Sequence, residues 1–306
     1  MHGGISVRQV SKSGQAFKWA AIYLWIYLGS VSTGRAEDLS PASAPAAPSA
    51  ETEGTSQVVQ ENVADEPSIP WNVNYFSIFY GPSIHNPSSY QPTPDGALDP
   101  SRPLLLKNYL TLGYDLSPDY TVAATGYWLY QPVMKQELDL MDPFVRISAN
   151  QLIHGEGFNH YADFRVHIPV SATSRATDLL ASFQTWNVTT YEIPSTRLTL
   201  GAYTSVWFNY FGKQGAGDML ELYFAPNLNY QMSRTVAATL VYEMGASHPF
   251  GDTTTHVYND GTDLQPGVSW DITPRLNFNP YLTLYTGNKV TLDSTAMGMM
   301  LWWKLL

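Results

Sequence analysis

From Trp71 to Leu306 the chain repeats one pattern: segments of about ten residues with period-two alternation, rich in aromatics and separated by Gly, Pro, Asp, Asn and Ser. Twelve segments can be counted, over 71–80, 104–116, 119–131, 143–152, 158–170, 177–191, 195–210, 217–230, 235–246, 262–272, 275–286 and 293–306. Period two sends successive side chains to opposite faces of a strand. The chain must therefore build a sheet with two unlike surfaces. An even number of antiparallel strands closes such a sheet with both of its ends on one side.

The connections fall into two kinds. Leu116–Asp119, Glu192–Ser195, Gln231–Arg234 and Ile272–Arg275 are tight, and each follows an even-numbered segment; 81–103, 131–142, 247–261 and 286–292 are longer and follow odd-numbered ones. Short turns alternating with long loops are the pattern of a membrane barrel. His154–Gly155–Glu156–Gly157–Phe158 has to be a further tight turn, although Val170–Ala176 is nearly as turn-like; if the latter were the tight turn, the count would become ten or fourteen.

The two faces differ in chemistry. Leu110, Leu112, Tyr114 and Leu116 share one face, as do Phe164, Val166 and Ile168, then Leu200, Val206 and Phe208, then Leu222, Phe224 and Leu228. Pro226, Pro266 and Pro280 sit inside such rows and weaken them, because proline removes a ladder donor. Tyr114, Tyr120, Trp128, Tyr130, Tyr230, Trp270, Tyr285 and Trp303 gather near segment ends, as interfacial girdles do. The opposite faces carry Lys107 and Asp115, Arg146, Asp163 with Arg165 and His167, Glu221, and Glu243, all expected to point into a polar lumen. Arg146, Asp163, Arg165 and His167 come from neighbouring segments and lie within pairing reach. They form either a solute-selecting constriction or a set of structural ion pairs, with Glu221 and Glu243 on the opposing wall.

The left-hand end reads differently. Residues 1–18 hold Arg8, Lys12 and Lys18 without an acid, an apolar run covers Trp19–Val31, and Gly34–Arg35–Ala36 offers a small-x-small site, so a secretory signal cleaved near Ala36 is expected. Residues 37–70, rich in Pro, Ala and Ser and then acidic, are expected to be a disordered linker. Losing 1–36 removes four basic residues and no acidic one, leaving twelve Lys and Arg against twenty-six Asp and Glu, a net charge of −14. That charge argues against a nucleic-acid partner. There is no cysteine, so neither disulfides nor thiolate metal sites enter. After residue 36 no uncharged apolar run approaches the roughly 20 residues a membrane helix needs. In a membrane the chain can only be a barrel.

The right-hand end alternates too: Met297, Met299, Leu301, Trp303 and Leu305 on one face, Ala296, Gly298, Met300, Trp302 and Lys304 on the other. Such a terminal strand seals a barrel by pairing with the first. Gly298, Leu301 and Trp303 match the spacing read by barrel-assembly machinery, and on these residues 71–306 resembles a bacterial outer-membrane β-barrel. Those proteins usually finish on Phe or Trp, whereas this chain continues through Lys304, Leu305 and Leu306. The resemblance implies an all-β, closed, antiparallel up-and-down transmembrane barrel of about twelve strands, exported to the outer membrane, with membrane lipid and the assembly machinery as partners. It names no transport family.

The function expected is a passive channel for small polar or ionic solutes, without a cofactor or metal. A non-conducting structural or adhesive barrel working through loops 81–103 and 247–261 is the alternative. A lipid hydrolase is a weaker one: Ser182 and Ser205 face the lumen, and only His167 is placed to approach Ser205. His248, His256 and Asp252 share a loop of ordinary polar composition and suggest no metal site.

Overall fold

The computed structural model describes residues 70–306 apart from 134, 135, 214 and 288. The expected signal and linker, 1–36 and 37–70, lie outside the described residues except for Pro70. In chain order the strands are β1 (Trp71–Ser83), β2 (Tyr90–Pro92), β3 (Leu98–Pro103), β4 (Leu105–Ser117), β5 (Tyr120–Tyr130), β6 (Leu138–Leu140), β7 (Phe144–Gly155), β8 (Phe158–His167), β9 (Leu179–Glu192), β10 (Leu198–Phe211), β11 (Asp218–Gln231), β12 (Val236–Pro249), β13 (Tyr258–Thr273), β14 (Leu276–Tyr285) and β15 (Ala296–Lys304). One helical turn, α1 (Ala172–Ala176), lies between β8 and β9.

Twelve of these strands form a closed antiparallel cycle: β1, β4, β5, β7 through β15, and back to β1. The closing seam runs from Asn74↔Lys304 to Tyr80↔Gly298. Beyond it, the Leu305 amide donates to the Val73 carbonyl at 2.8 Å. Closure leaves no row of unpaired N–H and C=O groups, which hydrocarbon would not tolerate.

Gly155–Glu156–Gly157 is the tight turn between β7 and β8. All three residues have positive φ, 146°, 47° and 82°, so glycine on both sides of Glu156 makes the reversal possible. The competing segment 170–176 instead belongs to a longer connection, where Ser171 caps α1 by accepting from the Ser174 amide at 3.1 Å. Short turns and both described ends of the barrel therefore share one rim, and the long connections share the other. The β1–β4 connection carries the β2–β3 hairpin, and β6 pairs with the end of β5.

The prolines are accommodated, each at a local expense to the ladder. Pro226, Pro266 and Pro280 all lie inside strands, paired with Ala202, Leu240 and Met299 on one side. On its other side Pro226 falls in a gap in the β11–β12 register, and Pro266 and Pro280 fall in gaps of the β13–β14 register. A residue without an N–H can hold one neighbour and fail the other.

The outer face is apolar and bare. Leu110, Leu112, Phe164, Leu200 and Phe224 stand 44–50% exposed in contiguous rows, a surface that water would not leave uncovered and that lipid suits. At the short-turn rim the exposed aromatics Trp71, Tyr114, Tyr120, Tyr191, Tyr230, Trp270 and Trp303 form a girdle, with Trp71 edge-on to Tyr114 at 4.9 Å. Tyr285 is not part of a girdle. It pairs in register with the inward Asp263, and its hydroxyl accepts from Arg102 of the β2–β3 hairpin at 3.0 Å.

Close approach fixes one glycine at the seam. A Cβ on Gly298 would stand 2.3 Å from Cζ of Tyr281, its cross-strand partner, whose ring lies over the glycine. Gly298→Val should therefore displace that ring and destabilise the barrel by about 1–3 kcal/mol, the usual scale of overpacking. Chemical unfolding of the detergent-folded protein, with Gly126→Val as the roomy control, checks this.

Candidate lumen site

Inward positions follow from strand phase. On β7 and β8 the inward residues are Phe144, Arg146 and Ser148, then Tyr161, Asp163, Arg165 and His167, all buried. Arg165, with no exposed surface, donates from Nε and from one terminal nitrogen to the two Asp163 oxygens at 2.9 Å each. The Tyr161 hydroxyl adds a 3.0 Å bond to Asp163, and Arg146 stands 3.6 Å from the same carboxylate. The guanidinium of Arg165 also lies between the Phe144 and Trp186 rings, 5.2 and 5.5 Å from their centroids. One carboxylate thus serves two arginines, an arrangement a buried charge requires.

His167 is packed by rings as well. It stacks on Trp207 at 4.7 Å and leans on Phe144 at 4.8 Å, while its Nε2 sits 3.1 Å from Gln184 Oε1. Gln184 in turn donates to Ser205 Oγ at 3.0 Å, and Trp207 Nε1 donates to Ser182 Oγ. Both serines are therefore bonded to groups other than histidine, and a Ser–His couple of the kind a hydrolase uses is not formed at either.

The opposing wall is acidic. Glu243 on β12 and Asp263 on β13 face each other in register. Glu243 accepts from the Tyr223 hydroxyl at 2.6 Å, and Asp263 accepts from Gln265 at 3.0 Å. Glu221 on β11, the register partner of Trp207, accepts from Asn209 at 3.1 Å. A file of rings connects the walls: Arg165 against Trp186, Trp186 stacked on Tyr223 at 5.6 Å, and Tyr223 bonded to Glu243. Lys107, far round the barrel on β4, holds its ammonium 5.0 Å from the Tyr80 ring centroid and interacts electrostatically with Glu243 across the lumen.

Cavities lie between these side chains. One, about 30 Å³, lies beside Arg146, with Asn74, Thr111, Thr125, Tyr109 and Trp302 among its walls. Another, about 20 Å³, lies beside Glu243. Each exceeds the roughly 10–15 Å³ that admits one water. Tyrosine, tryptophan and arginine side chains crowd the lumen at this level.

The structure brings Arg146, Asp163, Arg165 and His167 together on β7 and β8, sets Glu221 in register with Trp207, the ring that stacks on His167, and places Glu243 on β12 with Lys107 in electrostatic reach. Asp115 is apart. It lies eight positions along β4 from Lys107, about 26 Å at the rise of a strand, and is bonded by Asn72 and Thr121 at the short-turn rim. Asp263, Trp186, Gln184 and the hairpin's Arg102 are additional members of the lumen. Asp263 could have been found from its phase with Gln265; Arg102 had no such signal, because its hairpin lies in a loop.

Among the described residues no three metal-ligating side chains come together. His248 Nδ1 lies 2.7 Å from the His256 carbonyl. The Asp252 carboxyl, in the same connection, is held below its ordinary range chiefly by the Thr254 backbone N–H.

No family model matches the chain, and no curated protein sequence matches it. Among solved structures, the COG4313 outer membrane channel from Pseudomonas putida F1 superposes with a TM-score of 0.51 at 9% identity, covering 79% of this chain and 100% of that one. The likeness is one of fold. The KdgM porin, solved in complex with disordered oligogalacturonate, gives a TM-score of 0.43 at 9% identity over 77% of this chain and 99% of that one.

Proposed function

We propose that the protein is an outer-membrane channel for passive passage of small polar or ionic solutes, delivered by an N-terminal signal cleaved near Ala36 and assembled through β15. The observation that carries this reading is the division of the lumen into a basic side, with Arg146 and Arg165 on β7 and β8, and an acidic side, with Glu243 and Asp263 on β12 and β13. A purely structural barrel interior does not need charges of opposite sign held on opposite sides, whereas a conduit uses them to select and orient what passes. The size of the lumen favours ions and solutes of a few heavy atoms. Liposomes containing the protein should leak small ions and exclude disaccharides; equal permeability to both, or to neither, would contradict a narrow conduit.

Charge reversal separates the roles of the basic residues. Arg146→Glu, beside a cavity, should move ion selectivity toward cations by several-fold, read as a reversal potential under a salt gradient. Lys107→Glu should do the same, since it removes an ammonium that interacts electrostatically with Glu243. Arg165→Glu should instead lower folded yield, because it places two carboxylates together in the interior. The density of side-chain packing favours a second reading, a non-conducting barrel acting through its long connections. Removing 84–102 would then abolish partner binding and leave permeability unaltered.

A further inference from the structure

The 20 Å³ cavity beside Glu243 is walled by three tyrosines, Tyr203, Tyr223 and Tyr281, together with Glu243, Gln265 and Asn279. Two features of it point the same way. Asn279 is 6% exposed, and its Oδ1 has no hydrogen-bond partner among the described residues, an acceptor on the cavity wall. Such an atom carries a desolvation penalty unless a donor reaches it. Glu243 is the charged group of the lining, and Asp263 faces it directly from the next strand. Lys107 is in electrostatic reach from the far wall.

We propose that this cavity is a subsite for an ammonium group, either the ammonium ion or the primary ammonium head of a small organic cation. Glu243 would supply the counter-charge, Asn279 Oδ1 would take an N–H, and the tyrosine rings would present faces that attract a cation. Lys107 over Tyr80 repeats the same recognition within the chain. A hard divalent metal suits the site poorly, because it needs six or more oxygen ligands, and the cavity offers one carboxylate and amide oxygens. A quaternary head is too large and brings no N–H.

The subsite extends the channel reading, which supplies its route of access, but its test does not need a bilayer. Full-length protein in detergent at low ionic strength is titrated calorimetrically with methylammonium chloride and, separately, with tetramethylammonium chloride. The expected result is saturable binding of methylammonium alone, weakened about tenfold or more by Glu243→Gln and several-fold by Asn279→Ala, in keeping with charge-assisted hydrogen bonds. Absence of saturable binding, equal binding of tetramethylammonium, or indifference to both substitutions would overturn it. If Glu243→Gln does not fold, Asn279→Ala decides. Binding in a protein that proves electrically silent would refute the channel and keep the subsite; conductance without binding would do the reverse.

Discussion

Deleting residues 296–306 should leave no folded barrel. The deletion removes β15 and with it the pairing from Asn74↔Lys304 to Tyr80↔Gly298 on one side and from Leu276↔Trp303 to Thr283↔Ala296 on the other. β1 and β14 would then present open edges to hydrocarbon, where each unsatisfied backbone group costs several kcal/mol. Taking only Leu305 and Leu306 removes the bonds to Val73 and should weaken the seam without preventing closure. Far-UV circular dichroism and electrophoretic mobility of unheated samples distinguish the two. A compact, β-rich product from the longer deletion would mean that closure by β15 is not what holds the barrel.

Asp163→Ala should be the most damaging single substitution in the lumen. It strips Arg165 of both short bonds and leaves Arg146 without its neighbouring carboxylate. Removing one partner of a buried ion pair typically costs about 3–5 kcal/mol, because the remaining charge stays buried. Asp163→Leu combined with Arg165→Met should recover the part of the loss that belongs to Arg165, since an apolar pair needs no counter-charge, while Arg146 still lacks its carboxylate. Guanidinium unfolding of the unaltered protein, Asp163→Leu, Arg165→Met and the double variant measures the coupling. Additive losses would show that the Asp163–Arg165 pair is not the unit described.

How much of this was legible in the chain can be judged strand by strand. The twelve barrel strands fall where period-two alternation put them, and the largest boundary shifts occur at the long-loop rim, where β12 runs on to Pro249 and β13 starts at Tyr258. Those extensions lie in polar sequence that carries no alternation signal. Inward residues such as Arg146 and Glu243 were readable because a strand's phase fixes its faces. Their partnerships were readable only between neighbours. Asp163 with Arg165 and Arg146 follows from adjacent strands, whereas Lys107 with Glu243 depends on how strand tilt and stagger close the barrel, a property of the whole sheet. Loop elements were also hidden. The β2–β3 hairpin and α1 are too short to show periodicity, yet the hairpin sets Arg102 on Tyr285 at the mouth.

The rings were undervalued for a similar reason. Tyr203, Tyr223 and Tyr281 were in phase with the lumen, but phase does not say whether a ring lines a water-filled space or closes it. Trp186 between Arg165 and Tyr223 is a ring that packs against its lumen neighbours.

The central claim, a narrow charged conduit with an acidic wall at Glu243 and Asp263, is tested most directly by single-channel recording in a planar bilayer under a salt gradient. Discrete steps of small conductance are expected, with a reversal potential favouring cations that Glu243→Gln moves toward zero. A correctly folded, inserted protein that passes no current, or one selective for anions, would contradict it.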